Sequence, residues 1–323
     1  IQVLAPLWPA IILFGLISNV INIIVFLKSG ARDNVTILLL SLAVSDLAFL
    51  ALISPAMSYF IISAFARSHP WPFDPRFVRS LFYWPAFTAY DLSAFISVSL
   101  GVMRCACVAM PLRFKFVFTR SRTITWVLFL VVLAVSLRIP VLSIQRVGWT
   151  RDPDTNTSSP CLKAVNMASM SHVNDIMNRG VVINVMYITM VTCVVVLTLK
   201  LYQASKIRRA CTEPGKHGVN TPGNPGVQGL STKDLQVVKS VVLVCSIFIL
   251  SQLSFLVTSA VRLVSPEFDN GRDLLYLFGI ISHLNALCSY LNASLNIFVY
   301  YNYNSKYRPV FCQLVCSKYY DCV

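Results

Sequence analysis

Charge is what this 323-residue chain has least of: Asp, Glu, Lys and Arg make up 12% of it and hydrophobic residues 56%, where an ordinary soluble domain carries about 25% charged residues. A mean hydropathy of +0.67 leaves too little polar surface to clothe a water-soluble globule, so much of the apolar excess has to face lipid. Acids are the scarcer sign, 13 against 27 basic residues, for a net charge of +14. Nucleic-acid binders gather such an excess on one solvated face; here it falls in short gaps between long uncharged runs, which excludes nucleic acid as a partner. The chain also lacks a nucleophile, base and orienting group at any telling spacing, and it lacks metal-ligand spacing, so it is read as no enzyme. No duplicated half with broken helices is visible, which leaves a membrane transporter as the more distant alternative.

What is present is a series of runs long enough to cross a hydrocarbon layer as helices of about 20 residues. They fall at 4–27, 35–64, 81–103, 123–145, 181–199, 240–261 and 274–301. Only Asp46, Asp91 and Arg138 place a charge inside them, and Arg138 with Pro140 blurs the outer end of the fourth. The expected fold is all-α: a single domain over 1–323, a seven-transmembrane helix bundle. Seventeen of the 27 Lys and Arg lie in the loops after spans one, three and five and in the C-terminal tail, which puts those segments inside and the N-terminus outside. The chain opens at Ile1 almost within the first span, so an extracellular tail before it is expected. Residues 205–232, rich in Gly, Pro and Asn over most of their length, read as a flexible inner loop. At 305–317, Tyr307, Val310, Phe311, Leu314 and Val315 follow helical spacing, predicting a short amphipathic eighth helix flat on the inner leaflet. Cys312 and Cys316 beside them are palmitoylation candidates or buried thiols. Of ten cysteines only Cys161 falls outside, so no extracellular disulfide forms within the chain. Asn156-Thr157-Ser158 is a glycosylation acceptor in an outer loop.

Polar side chains inside a bilayer are expensive and mark function. Asp46 sits mid-span, with Asn19 in the first span, Ser93 in the third, and Asn292 and Asn296 four apart on the seventh. Either they form one cluster that holds water or an ion, or each makes an ordinary interhelical hydrogen bond, worth about 0.6 kcal/mol on average.

These residues, with their neighbours, resemble the rhodopsin-like (class A) G-protein-coupled receptors over essentially the whole chain. The first span carries Gly15-x3-Asn19 and the second Leu42-Ala-Val-Ser-Asp46. The third ends in Arg104-Cys105 followed by Pro111-Leu112, similar to the family's D/E-R-Y stretch, and Trp126 matches the tryptophan of the fourth. Phe248 stands where F-x-x-C-W-x-P begins, Asn292-x3-Asn296-Ile297-x2-Tyr300 is similar to N-x3-N-P-x2-Y, and Tyr307-Arg308 opens the eighth helix. The resemblance implies a multi-pass plasma-membrane receptor that passes an extracellular signal to a heterotrimeric G protein. It implies that Arg104 restrains the sixth helix at rest and contacts the G protein when active, that Tyr300 supports the open state, and that Leu112 docks into the partner. Asp46 and Ser93, with Asn19, Asn292 and Asn296, match its sodium and water pocket; no other cofactor is expected.

Departures from the family pattern are as informative. Met103 replaces the acid beside Arg104, so a latch from Arg104 to Asp234 on the sixth span is expected instead. Spans five and six carry no proline and Ile297 replaces that of the seventh, which removes the usual source of kinks; Gln252 and Ser254 offer hydrogen bonds in their place. Arg79 occupies the position of the family's bridging cysteine. No lysine occurs in 274–301 and Tyr290 takes the matching place, which excludes a retinal Schiff base. Ala86 replaces the aspartate that binds amine ligands. Tyr90, Asp91, Gln252, Ala86 and Tyr290 are the candidate ligand contacts, Asp91 being either a ligand contact or satisfied by a neighbouring Ser or Asn. The Arg104–Lys115 stretch is similar to divergent invertebrate, notably molluscan, receptors, and the losses favour a chemosensory ligand over a neuropeptide.

Overall fold

The computed structural model describes residues 7–30, 33–65, 75–109, 114, 116–151, 158–164, 173–212, 232–265, 267–268, 273–304 and 306–315. Its helices are α1 (Leu7–Lys28), α2 (Asn34–Phe65), α3 (Pro75–Ala109), α4 (Arg120–Ser143), α5 (Ile183–Thr212), α6 (Thr232–Val264), α7 (Leu275–Ser294), α8 (Asn296–Tyr303) and α9 (Tyr307–Val315). Among the described residues α1 to α6 each contain a stretch long and apolar enough to cross a bilayer. The seventh span is α7 and α8 together, parted at Leu295 (φ −82°, ψ −8°). Its lower apolarity has a cause: Asn285, Ser289, Asn292, Ser294 and Asn296 are all buried on it, so it turns polar groups to the bundle interior.

The helix ends follow local chemistry. Lys28 in the last turn of α1 complements the helix dipole, and Gly30, at φ 74°, ends the turn in the left-handed region that a side chain disfavours. Thr119 caps α4 by accepting from the Arg122 backbone N–H. The helix exteriors are apolar, as lipid requires; Leu128, Phe129, Val132, Val135 and Ile139 of α4 are exposed. Inside, one cluster at the inner half contains Phe26, Leu42, Ile96, Leu100, Phe248 and Tyr300. A second at the outer half contains Trp8, Phe49, Ile53, Ala86, Tyr90 and Tyr290. At the α1–α7 seam, a Cβ on Gly15 would collide with the Ser294 hydroxyl and a Leu50 methyl unless both side chains shifted.

Several expectations need correction. The helical bundle stands as expected; what the apolar runs did not foresee is that the outer segment after α4 forms an antiparallel hairpin of β1 (Gln145–Arg151) and β2 (Ser158–Ala164), with Gly148 opposite Cys161. The paired strands give one another's backbone N–H and C=O groups their hydrogen-bond partners. The third span reaches from Pro75 to Ala109, beyond 81–103, since amphipathic turns extend it past the apolar run. Residues 205–212, expected in the inner loop, continue α5. The missing prolines do not leave the bundle regular. A π-helical segment, Asp175–Val182, leads into α5, the seventh span breaks at Leu295 without proline, and Pro55, Pro85 and Pro140 lie inside α2, α3 and α4. Finally, Tyr307 is buried, and Val310, Phe311 and Leu314 pack with it against the inner core. The apolar face of α9 is thus spent largely on the bundle rather than on the leaflet.

Candidate functional site

Asp46 on α2 is 1% exposed. The Ser93 hydroxyl of α3 donates to its Oδ1 at 2.5 Å and the Asn296 amide of α8 to its Oδ2 at 2.8 Å. Both donors are neutral, so one carboxylate ties three spans at the centre of the membrane without a protein cation among these contacts. Asn19 does not join them: its amide donates to the Ala293 carbonyl at 2.8 Å and to Gly15 at 2.9 Å, fastening α1 to α7. Asn292 is buried one turn from Asn296, and it is Asn296 that reaches the carboxylate. Of the residues read from sequence either as one cluster or as separate interhelical bonds, Asp46, Ser93 and Asn296 meet in one centre, and Asn19 belongs to a separate α1–α7 seam.

The second buried carboxylate lies in the outer half. Asp91 on α3 faces Arg138 on α4, whose Nη2 and Nε reach its Oδ2 at 2.5 and 2.7 Å. The third guanidinium nitrogen, Nη1, donates to Asn174 Oδ1 at 3.2 Å. Asn174 also accepts from Asn178 at 2.8 Å, and Asn178 donates to the Leu137 carbonyl at 3.2 Å. Opposite charges are the expected remedy for two ionised groups in lipid. Arg138 also lies 5.9 Å from the Trp84 ring centre, over its face.

This pair lines a cavity of about 30 Å³, walled also by Tyr83, Trp84, Phe87, Tyr90, Gln252 and Phe255. Gln252 of α6 donates to the Tyr90 hydroxyl of α3 at 2.8 Å, a polar tie between helices. Of the ligand candidates, Tyr90, Asp91 and Gln252 line this space. Ala86 and Tyr290 do not: they are 0% and 2% exposed and pack with Phe49 and Tyr90 in the outer apolar cluster. Spacing along a helix located their level but not their face. Sequence reasoning treated Arg138 as a blemish on the fourth span, although it is the one basic residue within the spans and Asp91 a fitting acid.

At the inner end, Arg104 is half-buried and Met103 beside it is in the core. Phe248 is buried in the inner cluster. Tyr300 is 2% exposed, its ring 5.2 Å from Phe26 and 5.8 Å from Tyr307, and its hydroxyl is buried without a hydrogen-bond partner among the described residues. The Tyr307 hydroxyl donates to Asn22 at 2.7 Å, and burial raises that phenol's pKa.

A family model described as 7 transmembrane receptor (rhodopsin family) matches residues 18–300. The chain belongs to that family. No curated protein matches it. As a rhodopsin-family member it is a multi-pass plasma-membrane receptor with a signalling role.

At the outer end of α3 stands Arg79, at the position where the family pattern has a bridging cysteine. Its guanidinium lies 4.9 Å from the Phe60 ring centre, 5.5 Å from Tyr59 and 5.9 Å from Tyr83, a cation held by aromatic faces of α2 and α3. Trp126 on α4 donates to Ser99 of α3 at 2.9 Å. Leu112, Asn156 and Cys316 lie outside the described residues, and so does the side chain of Asp234; Cys312 is half-buried on α9.

Proposed function

We propose that this receptor carries a small-molecule chemosensory signal across the plasma membrane to a heterotrimeric G protein. The observation that supports this most is the small cavity, lined by aromatic and polar side chains, around Tyr90, Asp91 and Gln252. It touches α3, α4 and α6 at once, so occupancy there bears on the Gln252–Tyr90 tie and hence on where α6 sits. Its small size favours a compact ligand over a neuropeptide. Arg104, at the inner end of the same α3, supplies a permanently charged fork beside the cytosol; Phe248, Tyr300 and Leu112 complete the coupling surface in this reading, with Asp234 the resting partner of Arg104.

Asp46 and Ser93 offer carboxylate and hydroxyl oxygens, the donors a hard cation takes, and the neutral surroundings of Asp46 suit an allosteric sodium ion there. Glycosylation at Asn156 and palmitoylation at Cys312 and Cys316 belong to the same proposal.

The test is expression of the full-length receptor, challenged separately with odorant and peptide extracts, with second-messenger output as readout. Odorant responses that Arg104→Ala abolishes while surface expression holds are expected, as is a higher basal output from Asp234→Ala. A response to peptide extract alone would replace the chemosensory reading with the neuropeptide one.

A further inference from the structure

The β1–β2 hairpin has two unlike faces. Alternation along a strand puts Val147, Trp149 and Arg151 on one side of β1, and Arg146 and Gly148 on the other. Gly148 and its cross-strand partner Cys161 are half-buried, and the hairpin is seated on the bundle, β2 against α3 and β1 against the end of α4. The opposite face is bare: Val147 and Trp149 are 66% and 67% exposed, and Pro160 stands opposite Trp149 in the register. An apolar patch of this kind with a polar rim marks an interaction surface.

We propose that this face rests on the phospholipid headgroups of the outer leaflet, so that the bilayer tethers the hairpin to the outer end of the bundle. Continuity with the lipid-facing surface is the first reason. Leu128, Phe129, Val132, Val135 and Ile139 of α4 are exposed, and only Ile144 separates that helix from β1. At about 3.3 Å per residue, Val147 is at most about 13 Å of chain from Ser143 and Trp149 about 20 Å. A strand running along the membrane surface therefore lays both side chains in a headgroup layer about 5–8 Å deep.

Chemistry is the second reason. A tryptophan ring with its one N–H suits the boundary between hydrocarbon and water better than either medium alone. The third reason is charge. The two strands carry Arg146, Arg151 and Lys163 and no acid, and the exposed Arg146 and Arg151 flank the Val147–Trp149 stretch. A guanidinium grips a phosphate with two parallel hydrogen bonds while its stem lies along apolar surface. Cys161 forms no disulfide, so the lipid contact supplies a tether that the covalent structure of the hairpin does not.

The experiment uses the full chain in phosphatidylcholine nanodiscs. Because the chain has five tryptophans, the Trp149 emission is taken as the difference between the unaltered receptor and Trp149→Phe. That signal should be quenched at least about twofold more by phospholipid brominated high on its acyl chains than by phospholipid brominated near their ends, and it should be shielded from aqueous iodide. Trp149→Glu should speed amide hydrogen exchange in β1 and β2 by about tenfold, and Trp149→Phe should leave it nearly unchanged. On the unaltered chain, a phosphatidylcholine with a diazirine beside its glycerol should crosslink to residues 145–151, which decides the matter even if a variant does not fold. Quenching by iodide without quenching by bromolipid places the face in water and overturns the proposal. Shielding from both quenchers places another protein segment over it and does the same, as does hydrogen exchange indifferent to Trp149→Glu or a diazirine lipid that leaves 145–151 unlabelled.

Discussion

Asp46 and Asp91 are both carboxylates in the middle of a membrane protein, and the bundle treats them in opposite ways. Asp91 is neutralised by a cation from the next helix, with geometry that spends most of the guanidinium on it. Asp46 receives only a hydroxyl and an amide. The first arrangement is closed, since a cation already meets the carboxylate charge for charge. The second is open, since among these contacts its charge meets only neutral dipoles. A closed pair organises a site; an open carboxylate can respond.

The sharpest test of this contrast is Arg138→Met, which should cost about 3–5 kcal/mol of stability, read as a collapse of surface expression and a large drop in thermal midpoint. Asp91→Asn/Arg138→Met should recover most of it. A single variant as stable as the unaltered receptor would show that the pair is not closed in this sense. Gly15→Val comes next. The added carbons have no room between Ser294 and Leu50, and overpacking should cost about 1–3 kcal/mol by thermal unfolding. A neutral outcome would mean that α1 yields freely and that the seam is not part of either arrangement.

Asp46→Asn should behave unlike Arg138→Met. It keeps the shape and removes a charge that has no protein cation among its contacts, so stability should change by no more than about 1 kcal/mol. What should disappear is the rise in thermal midpoint on replacing choline with sodium. A sodium effect that survives the substitution would sink the open-carboxylate reading.

The smallest effect is expected at Asp33, a solvated control for both. Burial works to raise its carboxyl, but hydrogen bonds from Thr36 and the neighbouring Lys306 outweigh that and hold the pKa below the usual value. A depressed pKa means that the native state binds the proton less readily than the unfolded chain. The stabilisation is present above the ordinary carboxylate pKa and is lost as pH falls through the lowered one. Asp33→Asn should remove that acid-range loss, by well under about 1 kcal/mol because the ion pair is exposed. A large effect would imply that the α1–α2 turn is more buried in the membrane than it is here.

Much of this was legible because lipid imposes long-range order on composition. Apolar run length located α1 to α6, and Asp46, Ser93 and Asn296 could be recognised as expensive groups in need of one another. The β1–β2 hairpin was not legible, since no apolar alternation marks Gln145–Arg151. Nor was the helical continuation of α5 to Thr212, where polar residues extend a helix past its hydrophobic part. That Ala86 and Tyr290 pack in the outer apolar cluster and not along the Asp91–Arg138 cavity was not legible either, because distance along the chain measures depth in the membrane but not rotation about a helix axis.

The amino-acid order alone determined that this chain spans the membrane repeatedly, which end faces the cytosol, and that its few intramembrane charges would matter, because the cost of a polar group in hydrocarbon depends on residue type and run length. Only the folded bundle decided which charge meets which, that Arg138 closes on Asp91 while Asp46 stays among neutral donors, and that Arg79 rests on aromatic rings where a disulfide was absent. Those outcomes depend on how neighbouring helices are rotated and packed, and that is settled by contacts between residues far apart in the chain.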